Sequence, residues 1–228
     1  MFGHDVRRMK KNKDKGAAMG NPSIKETIYA SVLKDILDGA YPQDAVINEK
    51  TLMEEFGVSK APVREALVQL CSEGFIKNIP RFGYQLVSIT PSEIVEMVEY
   101  RKVIELGALE RAAERITKED LEELKALNRQ VELVDKKHEV KLHWEMNQNF
   151  HKKLCSFCGN RYLDKALDAS LKVCARISNQ YYVKVWEHKH EGAYKHRLIV
   201  QAMEEGDIER AKVILAEDIE ELLKNRVW

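Results

Sequence analysis

The chain has 228 residues, with 37 Lys and Arg balanced by 37 Asp and Glu, and 44% of its residues are hydrophobic. That apolar content excludes a disordered chain, and zero net charge excludes a uniformly basic nucleic-acid binder, so any DNA contact must come from locally placed charge. No apolar run of 18 or more residues and no signal-peptide core precede the four cysteines, which reads as a cytoplasmic protein with reduced thiols.

Residues 1–20 carry Arg7, Arg8, Lys10, Lys11, Lys13 and Lys15 against Asp5 and Asp14, with no apolar period. The pattern predicts a disordered basic arm, with contact to DNA as the alternative. From 21 to 90 the elements are short. Ile24, Ile28, Val32, Leu33, Ile36 and Leu37 repeat at helical spacing, and Asp38-Gly39 ends that helix. A second helix runs from Glu49 through Leu52 to Phe56, closed by Gly57. Ser59 is placed to cap a third, with Pro62 early in it and Val63, Ala66, Leu67 and Leu70 as its apolar face. Two β-like runs follow, Phe75–Ile79 and Tyr84–Ile89, joined by Pro80-Arg81-Phe82-Gly83. Helix, helix–turn–helix and hairpin is the order of a winged helix.

Thr90-Pro91-Ser92-Glu93 combines a Thr cap, Pro at the first helical position and Glu three residues on, and marks the start of a second domain, 91–228. Six amphipathic helices are predicted there, roughly 91–115, 118–136, 139–157, 160–185, 188–205 and 207–225. Breaks fall at Thr117, Lys137–Glu139, Gly159-Asn160, Trp186 and Gly206-Asp207. Short connections between long helices imply an antiparallel bundle, making the fold class mainly α.

The segment from Leu52 to Leu67 carries the first chemistry. Gly57 permits a tight turn between two steeply angled helices, and the Ser59 cap sets the first turn of the next helix, with Lys60, Ala61 and Arg64, against a major groove. Lys60 and Arg64 are four apart and share a face, so one can neutralise a phosphate while the other reads a guanine edge. Lys50 is placed to reach the backbone, and Arg81, at the hairpin tip beside Gly83, the adjacent minor groove. Residues 21–90 hold seven basic side chains (Lys25, Lys34, Lys50, Lys60, Arg64, Lys77, Arg81) against nine acidic ones, among them Glu49, Glu54, Glu55 and Glu65. The acids should lie largely away from the groove, and a homodimer on a two-fold operator would compensate for weak binding by one domain.

Over residues 24–89 the sequence resembles the GntR family of bacterial regulators, through Gly57-Val-Ser-Lys-Ala-Pro-Val-Arg-Glu-Ala-Leu67, Leu70-Cys-Ser-Glu-Gly74-Phe75 and Pro80-Arg-Phe-Gly-Tyr84. Lys60 stands where many members carry Arg, which keeps the charge and loses the bidentate fork. Residues 91–225 resemble the all-helical ligand-binding (FCD) domain of the FadR-like subfamily, through Tyr100-Arg101, Phe150-His151-x-x-Leu154 with Gly159-Asn160, and His196 followed by Gly206-Asp207. The resemblance implies a divalent-metal site at Asn147, His151, His196 and Asp218, with Asn147 replacing the usual Asp and Asp218 the usual final His. Geometry agrees: His196 lies ten residues before Gly206 and Asp218 twelve after it, so at ~1.5 Å per residue both sit about 15–18 Å from one turn.

Two histidines and one carboxylate can bind Zn²⁺, Ni²⁺, Mn²⁺ or Fe²⁺ and leave positions open for a ligand, with Asn147 a weak fourth donor. The other reading is a polar, water-filled pocket. Arg101 is a candidate receptor for an effector carboxylate, its alternative being a pair with Glu105, and Arg176 and Asn179 are candidates to line the same cavity. Cys155-Ser-Phe-Cys158 lacks a second pair and reads as core, and His188 and His190 read as loop or surface groups. No nucleophile–base pair or phosphate-binding loop is present. These residues predict a repressor or activator whose operator affinity answers to a small organic acid. The alternatives are a metal-dependent enzyme on the helical bundle, or a DNA-binding dimer without effector.

Overall fold

A computed structural model of the chain describes residues 22–42, 45–135, 140–182 and 192–224. The expected basic arm, the breaks at Lys137–Glu139 and Trp186, and His188 and His190 lie outside the described residues.

The first unit begins with α1 (Ile24–Leu37), started by a reciprocal capping box between Ser23 and Glu26. Its buried face is Ile28, Val32, Leu33 and Ile36; Ile24 is solvent-exposed, one turn before packing begins. Then come β1 (Val46–Ile47), α2 (Glu49–Phe56), α3 (Lys60–Ser72), β2 (Ile76–Ile79) and β3 (Gly83–Leu86). Leu52, Val63, Ala66, Leu67 and Leu70 meet the α1 face, and Phe75, Ile76 and Tyr84 close the core beneath the wing.

Three details depart from the sequence reading. A third strand, β1, pairs antiparallel with β3 and makes the sheet order β1-β3-β2. Two residues are too few to show alternation, so this strand exists only through its partner. The hairpin's second strand stops at Leu86 rather than Ile89. Ser59 has the extended conformation of a cap, yet its side chain makes no capping hydrogen bond. The third residue of α3 is Pro62, which has no N–H, so one of the two usual partners of a cap oxygen is missing.

Gly83 (φ +120) has a defined reason to be glycine: a Cβ there would stand 2.8 Å from the Ile47 carbonyl oxygen. Its hydrogen lets β1 close on the wing. At the tip, Arg81 adopts φ +70, an uncommon conformation for a residue other than glycine.

The second unit begins at α4 (Pro91–Ala113), with the Thr90/Glu93 capping box and Pro91 in the first turn. It continues through α5 (Lys118–Asp135), α6 (Val140–Ser156), α7 (Arg161–Ile177), α8 (Gly192–Glu204), α9 (Ile208–Ile219) and a last turn, α10 (Glu221–Lys224). Helix α4 packs on α6, α7 and α9, α5 on α6 and α8, and α8 on α9, around Ile94, Val98, Leu109, Leu124, Phe150, Ile177, Ile199 and Leu215.

The fourth bundle helix does not run on as α-helix to 185. It passes into a π-helical turn at Ser178–Tyr182, where the wider ring admits an extra residue. That turn meets the winged helix. Gln180 bonds both the N–H and the carbonyl of Ile89 (3.1 and 2.9 Å), and the Tyr181 hydroxyl donates to the same carbonyl at 2.6 Å.

Candidate DNA interface and buried histidine site

On the winged helix, Lys60 and Arg64 project from the first turns of α3 with about two-thirds of each side chain exposed, and Lys50 stands more open still, on α2. Lys60, Asn78, Arg81 and Phe82 border a groove of about 340 Å³ between α3 and the wing, and Phe82 is 72% exposed at the wing tip.

One acid expected to face away stands inside this groove. Glu49 accepts from Lys60 at 3.1 Å, lies 4.0 Å from Arg64 Nε and accepts from the Tyr84 hydroxyl at 3.1 Å. Burial pushes its carboxyl up, but the hydrogen bonds from Lys60 and Tyr84 and the two cationic charges outweigh this and hold it below the usual carboxylate range. In the free protein Glu49 therefore holds the two cations of α3 in place, at the first position of α2, where the helix dipole also favours a negative charge. Ala61 is exposed beside them.

The second site is buried in the bundle and built from four helices. Helix α4 contributes Arg101 and Glu105, α6 Asn147 and His151, α8 His196 and α9 Asp218. The i, i+4 spacings on α4 and α6 put each pair on one face. Ligand atoms of His151, His196 and Asp218 all lie within 4.8 Å of one another. His151 Nε2 is 3.1 Å and His196 Nε2 3.6 Å from Asp218 Oδ2, and the His196 ring stacks on Phe150 at 3.8 Å between centroids.

Behind these groups runs a relay that the sequence did not reveal. Arg101 Nε donates to Glu105 Oε1 at 2.7 Å, and Glu105 Oε2 is 2.6 Å from His151 Nδ1. Spacing showed the Arg101–Glu105 pair as an alternative; the reach from α4 to His151 depends on helix packing. The carboxylate fixes a proton on Nδ1 and turns Nε2 toward Asp218 and His196. Burial opposes charge on His151, yet Glu105 and Asp218 raise its pKa to about 9. His196 goes the other way, lowered chiefly by burial, and Asp218 is held far below the carboxylate range by the two imidazoles despite its own burial. His143, also unanticipated, is buried one turn before Asn147 on α6 and adds to the depression at His196.

This donor set fits a divalent ion. Both ring nitrogens of His196 and Oδ1 of Asn147 are buried without a hydrogen-bond partner among the described residues. Buried polar atoms are seldom left so, and all three point to a missing partner. Nη2 of Arg101, whose Nε holds Glu105, is likewise buried without a hydrogen-bond partner among the described residues.

Arg176 and Asn179 do not join this cavity. Arg176 donates to the carbonyls of Gly74 (3.3 Å) and Val87 and lies over the Phe75 ring, while Asn179 donates to the carbonyl of Leu37. With Gly39, Tyr41 and Gln180 they line a cleft of about 230 Å³ at the junction with the winged helix. Asn179 lies in the π-helical turn, and the carbonyls that Arg176 meets belong to Gly74 and Val87, close to the ends of β2 and β3.

Comparison with known proteins agrees with both halves. The profile of the FCD domain matches residues 96–221, and that of the bacterial regulatory proteins of the gntR family matches residues 24–85. The chain belongs to the GntR family. Within it, the HTH-type transcriptional regulator YdhC of Bacillus subtilis is 34% identical over 144 residues, covering 61% of this chain and 63% of YdhC. The HTH-type transcriptional repressor RspR of Escherichia coli is 27% identical over 136 residues, 59% of this chain and 60% of RspR. The matches thus span about three-fifths of the length of these relatives. Among solved structures, E. coli McbR/YncC has a TM-score of 0.77 over 89% of this chain and 96% of its own, a likeness of fold at 22% identity. No described helix is long and apolar enough to cross a membrane.

Proposed function

We propose that this protein is a cytoplasmic, sequence-specific DNA-binding transcription regulator, a homodimer on a two-fold operator, whose affinity is set by a small organic acid bound in the helical domain. The observation that carries the reading is the convergence of His151, His196 and Asp218, with the ring nitrogens of His196, Oδ1 of Asn147 and Nη2 of Arg101 buried and lacking a hydrogen-bond partner among the described residues, on the same chain as an exposed Lys60/Arg64 helix and wing. His151, His196 and Asp218 would hold a divalent ion (Zn²⁺, Ni²⁺, Mn²⁺ or Fe²⁺), with Asn147 as a neutral fourth donor. Such an ion supplies a Lewis-acidic anchor for a carboxylate. Arg101 keeps one edge on Glu105 and offers Nη2 to the same carboxylate, so its two readings are compatible. Lys60, Arg64, Lys50 and Arg81 would meet DNA, with Ser59, Ala61 and Gly83 setting the backbone that presents them.

Helix α7 supplies a route between the sites. Cys174 Sγ lies 3.9 Å from Arg101 Nη1; within a turn Arg176 grips Gly74 and Val87, and within two turns Asn179 and Gln180 grip Leu37 and Ile89 of the winged helix. A ligand that draws Arg101 would bias α7 and, through it, the angle of the wing. A coupling free energy of about 1–3 kcal/mol corresponds to a roughly 5–150-fold change in operator affinity.

The function is tested by titrating operator DNA against metal-loaded and chelator-stripped protein, with and without small carboxylic acids. The expected result is an acid-dependent shift that needs the metal and disappears in His196→Ala. Operator binding indifferent to both would favour the effector-independent dimer. Arg176→Ala is expected to bind metal and acid as the parent does, by calorimetry, while the operator shift shrinks toward onefold. An unchanged shift would remove α7 from the route.

A further inference from the structure

A second cluster of ligating side chains lies at the turn between α6 and α7, apart from the histidine site. Cys155 and Cys158 sit three residues apart at the end of α6. Gly159 (φ +64) then reverses the chain, so that the start of α7, capped by Asn160, brings Asp164 back over them. Ligand atoms of the two thiols and the Asp164 carboxylate lie within 4.8 Å of one another. The thiols are 2% and 1% exposed, and Asp164 Oδ1 is buried with no hydrogen-bond partner among the described residues. An acceptor left in that state is expensive unless something supplies its missing contact.

Two further contacts favour negative charge on sulfur. The Asn160 N–H is 3.3 Å from Cys158 Sγ, and the Arg115 guanidinium donates to the Cys158 carbonyl at 3.4 Å. A backbone donor on the ligating sulfur and a nearby cation are the kind of outer-shell support a metal thiolate uses. Burial pushes the Cys155 thiol up and disfavours its thiolate when no cation is bound. A bound cation reverses this by deprotonating the thiols outright.

We propose that Cys155, Cys158 and Asp164 form a second metal site, selective for a borderline-soft divalent cation of the zinc type. Two S–H bonds break as two metal–sulfur bonds form, both protons pass to solvent, and no electron is transferred. Two thiolates and one carboxylate against a divalent ion leave one negative charge, with the Arg115 guanidinium nearby on the Cys158 carbonyl. A water fills the fourth tetrahedral position. Thiolate donors disfavour magnesium, calcium and manganese. The ion would tie α6 to α7 one turn beyond His151.

The test is anaerobic titration of the reduced, metal-stripped full chain with Co²⁺, in the parent and in His196→Ala. Cobalt bound by sulfur gives an intense near-ultraviolet charge-transfer band that cobalt on imidazole and carboxylate lacks. One equivalent producing that band is expected in both proteins, displaced by Zn²⁺, lost in Cys158→Ser and retained in Cys174→Ala. Asp164→Asn keeps both thiols and is expected to weaken cobalt binding at least about tenfold, the scale on which even outer-shell changes act. Should Cys158→Ser fail to fold, Asp164→Asn and the alkylation rate of Cys155 and Cys158 with and without Zn²⁺ decide the matter. Absence of the band, its survival in Cys158→Ser, unweakened cobalt binding in Asp164→Asn, or alkylation indifferent to Zn²⁺ would overturn the site.

Discussion

Glu105→Gln is expected to destabilise the protein by about 3–5 kcal/mol, the usual cost of removing one partner of a buried ion pair. The glutamine keeps the volume but removes the charge that two buried cations share. Arg101 is 4% exposed and Glu105 3% exposed, so water cannot replace the lost carboxylate. The amide has one acceptor oxygen where the carboxylate had two, so Arg101 and His151 cannot both keep their bond, and one of them is left facing an NH₂ donor. Against a total stability of about 5–15 kcal/mol for a typical domain, such a loss is a large fraction. Urea unfolding followed by circular dichroism measures it, at constant slope. A change below about 1 kcal/mol, the scale of exposed pairs, would mean that Arg101 is compensated from elsewhere and that the relay does not hold the bundle.

Arg64→Ala is expected to remove specific operator binding while leaving the fold intact. Its side chain is 64% exposed and its ion-pair partner Glu49 is 4.0 Å away, so its loss costs little stability. On DNA a bidentate contact to a guanine is worth about 1–3 kcal/mol, and a dimer makes it twice. The combined loss of about 2–6 kcal/mol corresponds to a fall of roughly 30-fold to 10⁴-fold in operator affinity. Lys50→Ala, by contrast, should weaken all sequences alike, as phosphate contacts carry no base information. Equal losses on operator and random DNA in Arg64→Ala would show that Arg64, too, reads only phosphate.

What sequence reveals and conceals follows from the range of the interactions. The α3 face of Val63, Ala66, Leu67 and Leu70, and the Thr90/Glu93 box, depend on neighbours within one helical turn, and each could be read directly. His151, His196 and Asp218 were legible through the family resemblance, with which the spacing agrees: positions ten before and twelve after Gly206 stand at one level once α8 and α9 lie antiparallel. The Glu105–His151 contact was hidden because it depends on how α4 packs against α6, over 46 residues of chain. Glu49 was misplaced because a count of charges gives no direction, and the side chain turns into the groove to meet Lys60 and Tyr84. Arg176 was assigned to the wrong cavity because its partners, the carbonyls of Gly74 and Val87, lie 102 and 89 residues away in the chain, and Asn179 because a continuous helix was assumed. Where α7 widens at Ser178, the apolar period no longer says which way a polar side chain points.

The most direct measurement selects sequences from a random DNA pool with the intact protein, then titrates the winner over a range of salt with and without divalent metal and carboxylic acids. The expected outcome is a two-fold symmetric sequence whose affinity falls steeply with salt and shifts roughly 5–150-fold when metal and acid are both present. A pool that converges on no sequence, or a symmetric operator whose affinity ignores every acid and metal, would contradict the account, the first at the winged helix and the second at the buried histidine site.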